Sequence, residues 1–400
     1  MKIPFSPPDI TEEEISAVSD TLRSGWITTG PRTKELEQWV ANLCGTKRAA
    51  ALNSATASLE MILRLLDIGP GDEVITTAYT YTATASPVIH VRGRIRLVDT
   101  FPGTFDMDYH QVEQMITERT KAIICVDLAG IPYPYYQEIY DIVEEKKNLF
   151  KARGMLQGAL SHIAVISDSA HALGASYEGT RCGDISDFST FSFHAVKNLT
   201  TAEGGALTWR LPVDDDALYK RCMLLSLHGQ SKDALEKTKA GSWEYDVVAP
   251  YYKCNMTDVC ASIGLVQAKR YNKLLARRRE LIERYDEHFK KSRIKGLLHF
   301  TGKSVSSGHL YMASIHGATL SNRNQIIEEM GERGIATNVH YKPLPLLTAY
   351  QNLGFKIENY PNAYEAFTNE ITLPLHTLLT DDDVDYVAKN FLEIVERIIC

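Results

Sequence analysis

Through the first two-thirds of the chain, short apolar runs alternate with amphipathic stretches. Strand-length runs stand at 48–52, 73–77, 94–98, 122–127, 163–167, 188–193 and 205–209, each bounded by Gly, Ser, Asp or Pro. Helical patterns separate several of them, notably 55–66 and 110–117. Upstream, residues 12–24 read as a helix opened by Thr11, with Glu14 completing a capping box. Residues 32–43 suggest another. This alternation predicts an α/β domain with a mostly parallel central sheet. Ligands of such domains sit near the carboxyl ends of the strands.

After about residue 250 the texture changes. Residues 257–292 form a long helical stretch rich in Arg, Lys, Glu and Leu. Strand candidates follow near 309–315 and 336–341, with helices near 322–333 and 382–399. The expected division is a large domain, 1–255, and a smaller α+β domain, 256–400. The stretch 136–163 is long for one connection and weakly patterned in its middle, so it reads as an insertion or an extended helix.

Composition narrows the partners. Of 400 residues 44% are hydrophobic and 23% charged, and the formal net charge is -7. The basic residues are scattered, which argues against nucleic acid. A phosphorylated ligand then needs a local site built from helix N-termini and a few cations. Seven cysteines, an odd number without a C-x-x-C pair, suggest reduced thiols rather than a disulfide or metal framework. No run has the length and apolarity of a leader or a membrane span. The expectation is a cytoplasmic protein with no metal and no membrane partner.

Four segments carry candidate chemistry. In FSFHAVKNLTTAEGGAL (191–207) an apolar strand ends in a polar turn at Lys197, with Ser192 five residues before it. A lysine there suits a Schiff-base nucleophile, although a lone lysine is most often a surface group. In ISDSAHALGA (166–175) Asp168 ends an apolar run, and a buried acid stays ionised only beside a cation or several donors. It is either such a partner or a helix cap. In NSATASLEMIL (53–63) Ser54 precedes a helix whose free N–H groups could take a phosphate, with Ala55 and Thr56 at its start; the alternative is simple N-capping. In TTAYTYTATA (76–85) Tyr81 could stack on a flat ring or sit in the core. The order is a phosphate-binding helix start, an aromatic, a strand-end Asp, and a strand-end Lys some thirty residues later. That is the layout of fold-type I pyridoxal-phosphate (PLP) enzymes.

With these segments in place, the sequence resembles the DegT/DnrJ-type nucleotide-sugar aminotransferases over almost its whole length. The resemblance also runs through SGWITTGPRTKELE (24–37), YKCNMTDVCASIGLVQ (252–267) and GIATNVHYKPLPLLTAY (334–350). It implies that Lys197 forms the Schiff base with PLP and shuttles the proton, and that Asp168 pairs with the pyridinium nitrogen. It implies His171 near the phenolic oxygen, Tyr81 against the ring, and Ala55, Thr56 and Ser192 on the phosphate. It further implies a homodimer in which the partner subunit reaches that phosphate with Lys253 or Asn255. Trp26, Thr28, Thr29, His340 and Tyr341 match positions lining the sugar-nucleotide pocket; read alone, His340 fits a strand histidine equally well.

The same resemblance implies glutamate as amino donor and a keto-sugar nucleotide as acceptor, first of all UDP-4-keto-6-deoxy-N-acetylhexosamine for bacterial surface glycans. A UDP-4-keto-pentose or a dTDP-keto-hexose are the alternatives. A PLP-binding regulatory protein is a rival of another class, but every cofactor position is filled and no DNA-binding module is present. A dehydrating branch of the family has His where Lys197 stands. The chain departs from many relatives at Asp127, where they have His or Asn, and in the length of 136–163.

Overall fold

A computed structural model gives the fold; it describes residues 2–231 and 244–399. The strands of the large sheet are β1 (Ala49–Leu52), β2 (Glu73–Thr77), β3 (Arg94–Val98), β4 (Thr120–Val126), β5 (Ala164–Asp168), β8 (Phe188–Ser192) and β9 (Gly205–Trp209). Between β5 and β8 lies a small hairpin, β6 (Ser176–Tyr177) and β7 (Thr180–Arg181). The sheet order is β1-β9-β8-β5-β4-β2-β3. Neighbours are parallel from β8 through β3, whereas β9 runs antiparallel to both β1 and β8. Strands β1, β2, β5 and β9 are buried at every residue, as expected where both faces of a sheet are covered and apolar runs replace alternation.

Helices α1 (Glu12–Ser24), α2 (Pro31–Cys44), α3 (Ala55–Leu65), α4 (Thr82–His90) and α5 (Tyr109–Met115) precede β4 or connect its neighbours. The long stretch resolves into α6 (Tyr136–Glu145), a short 3-10 turn at Lys147–Leu149 and α7 (Met155–Leu160). It is tied down by Lys121, whose Nζ donates to the carbonyl of Lys151 at 2.7 Å, and by Arg153, 2.7 Å from Asp72. Helix α8 (Asp215–Ser226) follows the sheet. Neither α4 nor α8 stands out in the sequence. The first is a run of Thr, Ala and Ser holding Pro87, and small residues leave no apolar stripe to read.

Helix α9 (Asp258–Phe289) runs for 32 residues. Its Ala261, Tyr271 and Leu274 pack with Leu36 and Val40 of α2 and with Ala49 of β1. Its Leu281, Ile282, Tyr285 and Phe289 enter the core of a second sheet. That sheet has the order β10 (Ile294–Gly296), β12 (Tyr311–Ile315), β13 (Glu370–Leu373), all antiparallel. It is covered by α10 (Leu320–Glu332) and α13 (Asp381–Ile399). A short β11 (Ser304–Val305) joins the β6–β7 hairpin, and α11 (Thr348–Gln351) and α12 (Pro361–Asn369) lead into β13. No strand forms over the expected 336–341. Asn338 makes an isolated bridge to Thr372, after which the chain leaves the sheet edge and turns His340 and Tyr341 into a cavity.

The N-terminal segment belongs to both layers. Ile3 pairs with Ile335 inside the second core. The capping box of α1 forms as the sequence predicts: Thr11 N donates to Glu14 Oε2 at 2.7 Å. Glu14 also accepts from Gln267 and Arg270 of α9, both at 2.8 Å. Burial pushes its pKa up, but the bonds from Thr11 and Arg270 outweigh that and hold it below the usual value. Its stabilising effect is therefore present above the ordinary carboxylate range and is lost as pH falls through the lowered pKa. Glu14→Ala should lower unfolding free energy by about 2 kcal/mol, as for a lost cap plus a broken partly buried pair. Urea midpoints at pH 7 and one protein concentration, compared with wild type, check this; an unchanged midpoint contradicts it.

Candidate active site

The parallel strands end on one side, and their carboxyl ends open a cavity of about 340 Å³. Register builds its floor: Asp168, the last residue of β5, lies opposite Thr190 of β8. Beyond β8, Phe193 pairs with the carbonyl of Gly204 and Thr201 with that of Phe193, at 2.8 and 2.9 Å. The closed loop presents Lys197 to the cavity. Across the sheet, Ser54 caps α3 by accepting from Ala57 N at 3.0 Å, leaving Ala55 and Thr56 on the wall. Gly205 is required here, because a Cβ would stand 2.3 Å from the backbone N of Ala55.

Lys197 and Asp168 titrate against each other. Burial lowers the Lys197 pKa to about 8, while the charge of Asp168 works to raise it. Burial raises the Asp168 pKa; bonds from Thr84 and the Ala170 N–H, and the charge of Lys197, oppose the rise. Thr84 Oγ1 donates to Asp168 Oδ2 at 2.7 Å, with Thr80 Oγ1 2.7 Å behind it. His171 is buried. Its Nδ1 accepts from Ala129 N at 3.3 Å, and its Nε2 lies 3.0 Å from the Tyr341 hydroxyl. Burial, then the charges of Lys197 and His340, push its pKa well down, so the ring is neutral. His340 is held near 3 by burial and Lys197; it stacks on Phe5 with ring centroids 5.7 Å apart.

Nine of the residues singled out in the sequence meet here: Ala55, Thr56, Tyr81, Asp168, His171, Ser192, Lys197, His340 and Tyr341 all line the cavity. Tyr81 is 58% exposed, with its ring centroid 5.6 Å from that of Tyr341. The other five form a separate knot and line no part of this cavity in their own chain. Trp26 Nε1 donates to the Thr29 carbonyl at 3.2 Å, Asp258 N to that of Thr28 at 3.0 Å, and Thr29 Oγ1 to that of Met256 at 2.5 Å. Asn255 bonds Thr29, and Lys253 bonds Asn255. Asp127, buried nearby, is fully satisfied: Ser167, Ser169, Tyr136 and the Tyr133 N–H all donate to it within 3.0 Å.

Sequence reasoning missed Phe5, Thr84 and His309, which also line the cavity. Thr84 lies in the first turn of α4 and Thr80 in the bend before it, a run of mostly small polar residues that carried no signal of its own. His309 follows Ser306, Ser307 and Gly308 at the start of an apolar run and gave none.

The donor set fits one cofactor. A helix start with free N–H groups suits a phosphate, the buried acid needs a cation of pyridinium type, and the depressed lysine suits an imine. These features on a mostly parallel sheet define a PLP-dependent transferase of fold type I. The DegT/DnrJ/EryC1/StrS aminotransferase family profile matches residues 8–392. The chain belongs to that family and is a PLP-dependent aminotransferase. A protein described as a sugar aminotransferase, Spr1654 from Streptococcus pneumoniae, is 56% identical in its PMP form, with TM-score 0.97, covering 99% of this chain and 100% of that one; it has also been solved in apo and PLP forms. The spore coat polysaccharide biosynthesis protein SpsC of Bacillus subtilis is 36% identical over 98% of this chain and 97% of its own. Helicobacter pylori PseC, an aminotransferase involved in pseudoaminic acid biosynthesis, is 29% identical with TM-score 0.84, covering 99% and 100%.

Removing the Thr84 hydroxyl leaves the Asp168 carboxylate short of one buried donor. Thr84→Val should weaken PLP retention by about five- to ten-fold, the loss of one charge-assisted bond. Equilibrium dialysis of the cofactor measures it; unchanged retention removes Thr84 from the site.

Proposed function

We propose that this protein transfers the amino group of glutamate to a keto-sugar carried on a nucleotide, with Lys197 as the reacting amine. The carrying observation is the single cavity in which Lys197, with its pKa lowered to about 8, faces the buried acid Asp168. The roles of SpsC in spore coat polysaccharide biosynthesis and of PseC in pseudoaminic acid biosynthesis support a sugar acceptor. The first acceptor we put forward is UDP-4-keto-6-deoxy-N-acetylhexosamine, with a UDP-4-keto-pentose or a dTDP-keto-hexose as alternatives, for surface glycan synthesis in the cytoplasm. Among the described residues no helix is long and apolar enough to cross a membrane.

When bound, PLP supplies the electron sink that stabilises charge at the donor's α-carbon. The rest falls to the chain. Lys197 takes the α-proton and returns it; with a pKa near 8, about one molecule in ten carries the neutral amine at pH 7. Asp168, dry and bonded by Thr84, offers the negative charge that a ring nitrogen needs to stay protonated. Ala55, Thr56 and Ser192 would hold the cofactor's phosphate. His171 passes its hydrogen bond to Tyr341, and neutral His340 presents an acceptor to the sugar side. The knot of Trp26, Thr28, Thr29, Lys253 and Asn255 lines no part of its own cavity, and Tyr251 and Tyr252 next to it in the chain are exposed. This supports a homodimer in which it completes the other subunit's site.

A panel of UDP- and dTDP-keto-sugars with glutamate, products read by mass and NMR, identifies the acceptor. Lys197→Ala should lose all turnover yet retain PLP weakly, read by absorbance after desalting. In wild type the visible band of the bound cofactor should bleach on adding glutamate. Full activity of the alanine variant would sink the assignment, and a band indifferent to glutamate points to a different donor or to a binding protein.

A further inference from the structure

His309 lies on β12's approach, 4% exposed, and has no part in the reading above. Its Nε2 is 3.4 Å from Lys197 Nζ. Its Nδ1 is 3.0 Å from Asn198 Oδ1. The amide of Asn198 is oriented by its other end, since Nδ2 donates to the Ser307 carbonyl at 2.7 Å and a carbonyl can only accept. Asn198 Oδ1 therefore receives a proton, and Nδ1 of His309 must carry it. The groups facing the ring are His171, at a centroid distance of 4.3 Å, and the charges of Lys197, Arg278 and His340. Burial and these neighbours push His309 well below the usual imidazole range, so it holds one proton only. That proton is on Nδ1, and the bare lone pair of Nε2 points at the lysine.

The ring is held at Nδ1 by Asn198, and the backbone beneath it is fixed. Its backbone N donates to Ala129 O at 3.0 Å, and Arg278 of α9 donates to its carbonyl at 3.3 Å and to that of Gly308 at 3.2 Å. The geometry points to His309 as a positioning residue for Lys197: a fixed acceptor, set in one tautomer by Asn198, that holds one N–H of the amine and turns its lone pair toward the cavity. This rests on Lys197 being the reacting amine. An acceptor binds an ammonium more strongly than an amine, so His309 keeps Lys197 easier to protonate than burial alone would leave it.

Two variants separate the two nitrogens. In His309→Asn the amide can still donate to Asn198 but does not reach Nζ; in His309→Gln the Oε1 takes the place of Nε2. The readout is the pH dependence of Lys197 acetylation by acetic anhydride in the full-length, cofactor-stripped protein, mapped by peptide mass. The wild-type midpoint is expected at about 8. His309→Asn should move it down by about half a unit or more, the size of one weak hydrogen bond, and His309→Gln should stay with wild type. Equal midpoints in all three, or Gln falling as far as Asn, overturn the inference. Borohydride reduction of the wild-type holoenzyme is run alongside. Cofactor fixed on Lys197 with equal midpoints sinks the role of His309 alone, whereas cofactor fixed elsewhere overturns both readings.

Discussion

Everything in the site depends on an acid and an amine kept out of water together. Asp168 and Lys197 are each made unfavourable in their charged forms by burial, and each is the other's compensation. Neither position would be tolerable without the other or a bound cation. The sheet supplies the confinement. Strands β5 and β8 are adjacent and parallel, so their ends arrive at one level, and the loop after β8 returns through Gly204 and Gly205 to close against the start of α3. The remaining polar groups, from Thr84 to Tyr341, serve to fix orientations around that pair.

Much of this was legible in the chain. The seven apolar runs became the seven strands of the large sheet within two residues at either end, because strands buried on both faces leave continuous apolar stretches. Asp168 and Lys197 could be found because each stands just beyond such a run. Other features were hidden for physical reasons. The antiparallel course of β9 has no local signature, since a buried strand reads alike in both directions. His309 and Phe5 reach the cavity through the second sheet and the N-terminal segment, contacts between residues more than a hundred positions apart. The expected strand at 336–341 failed because the edge of β13 holds only Asn338 before the cavity draws the chain off.

The stretch at 136–163 and the buried Asp127 have one account. Tyr133 and Tyr136, at the entrance to α6, donate to Asp127, whose own backbone N–H pairs with the carbonyl of Asp168. A buried carboxylate with four donors anchors the start of α6 to the strand end next to the site. A His or Asn there could not accept from as many hydroxyls. The stretch packs on the sheet through Ile139, Ile142 and Val143 of α6 and is pinned at its far end by Lys121 and Arg153.

Helix α9 has a mechanical meaning. Its 32 residues make a rod of roughly 48 Å at the ordinary rise per residue, embedded at one end in the large sheet's packing and at the other in the small sheet's. Arg278, near the middle, grips the carbonyls of Gly308, His309 and Leu375. The two walls of the cavity are thus spanned by one stiff beam instead of a hinge. Substrate choice must then be settled by rim segments that can change without disturbing the beam, and damage to the small sheet's packing travels along it to the lysine as a rigid tilt.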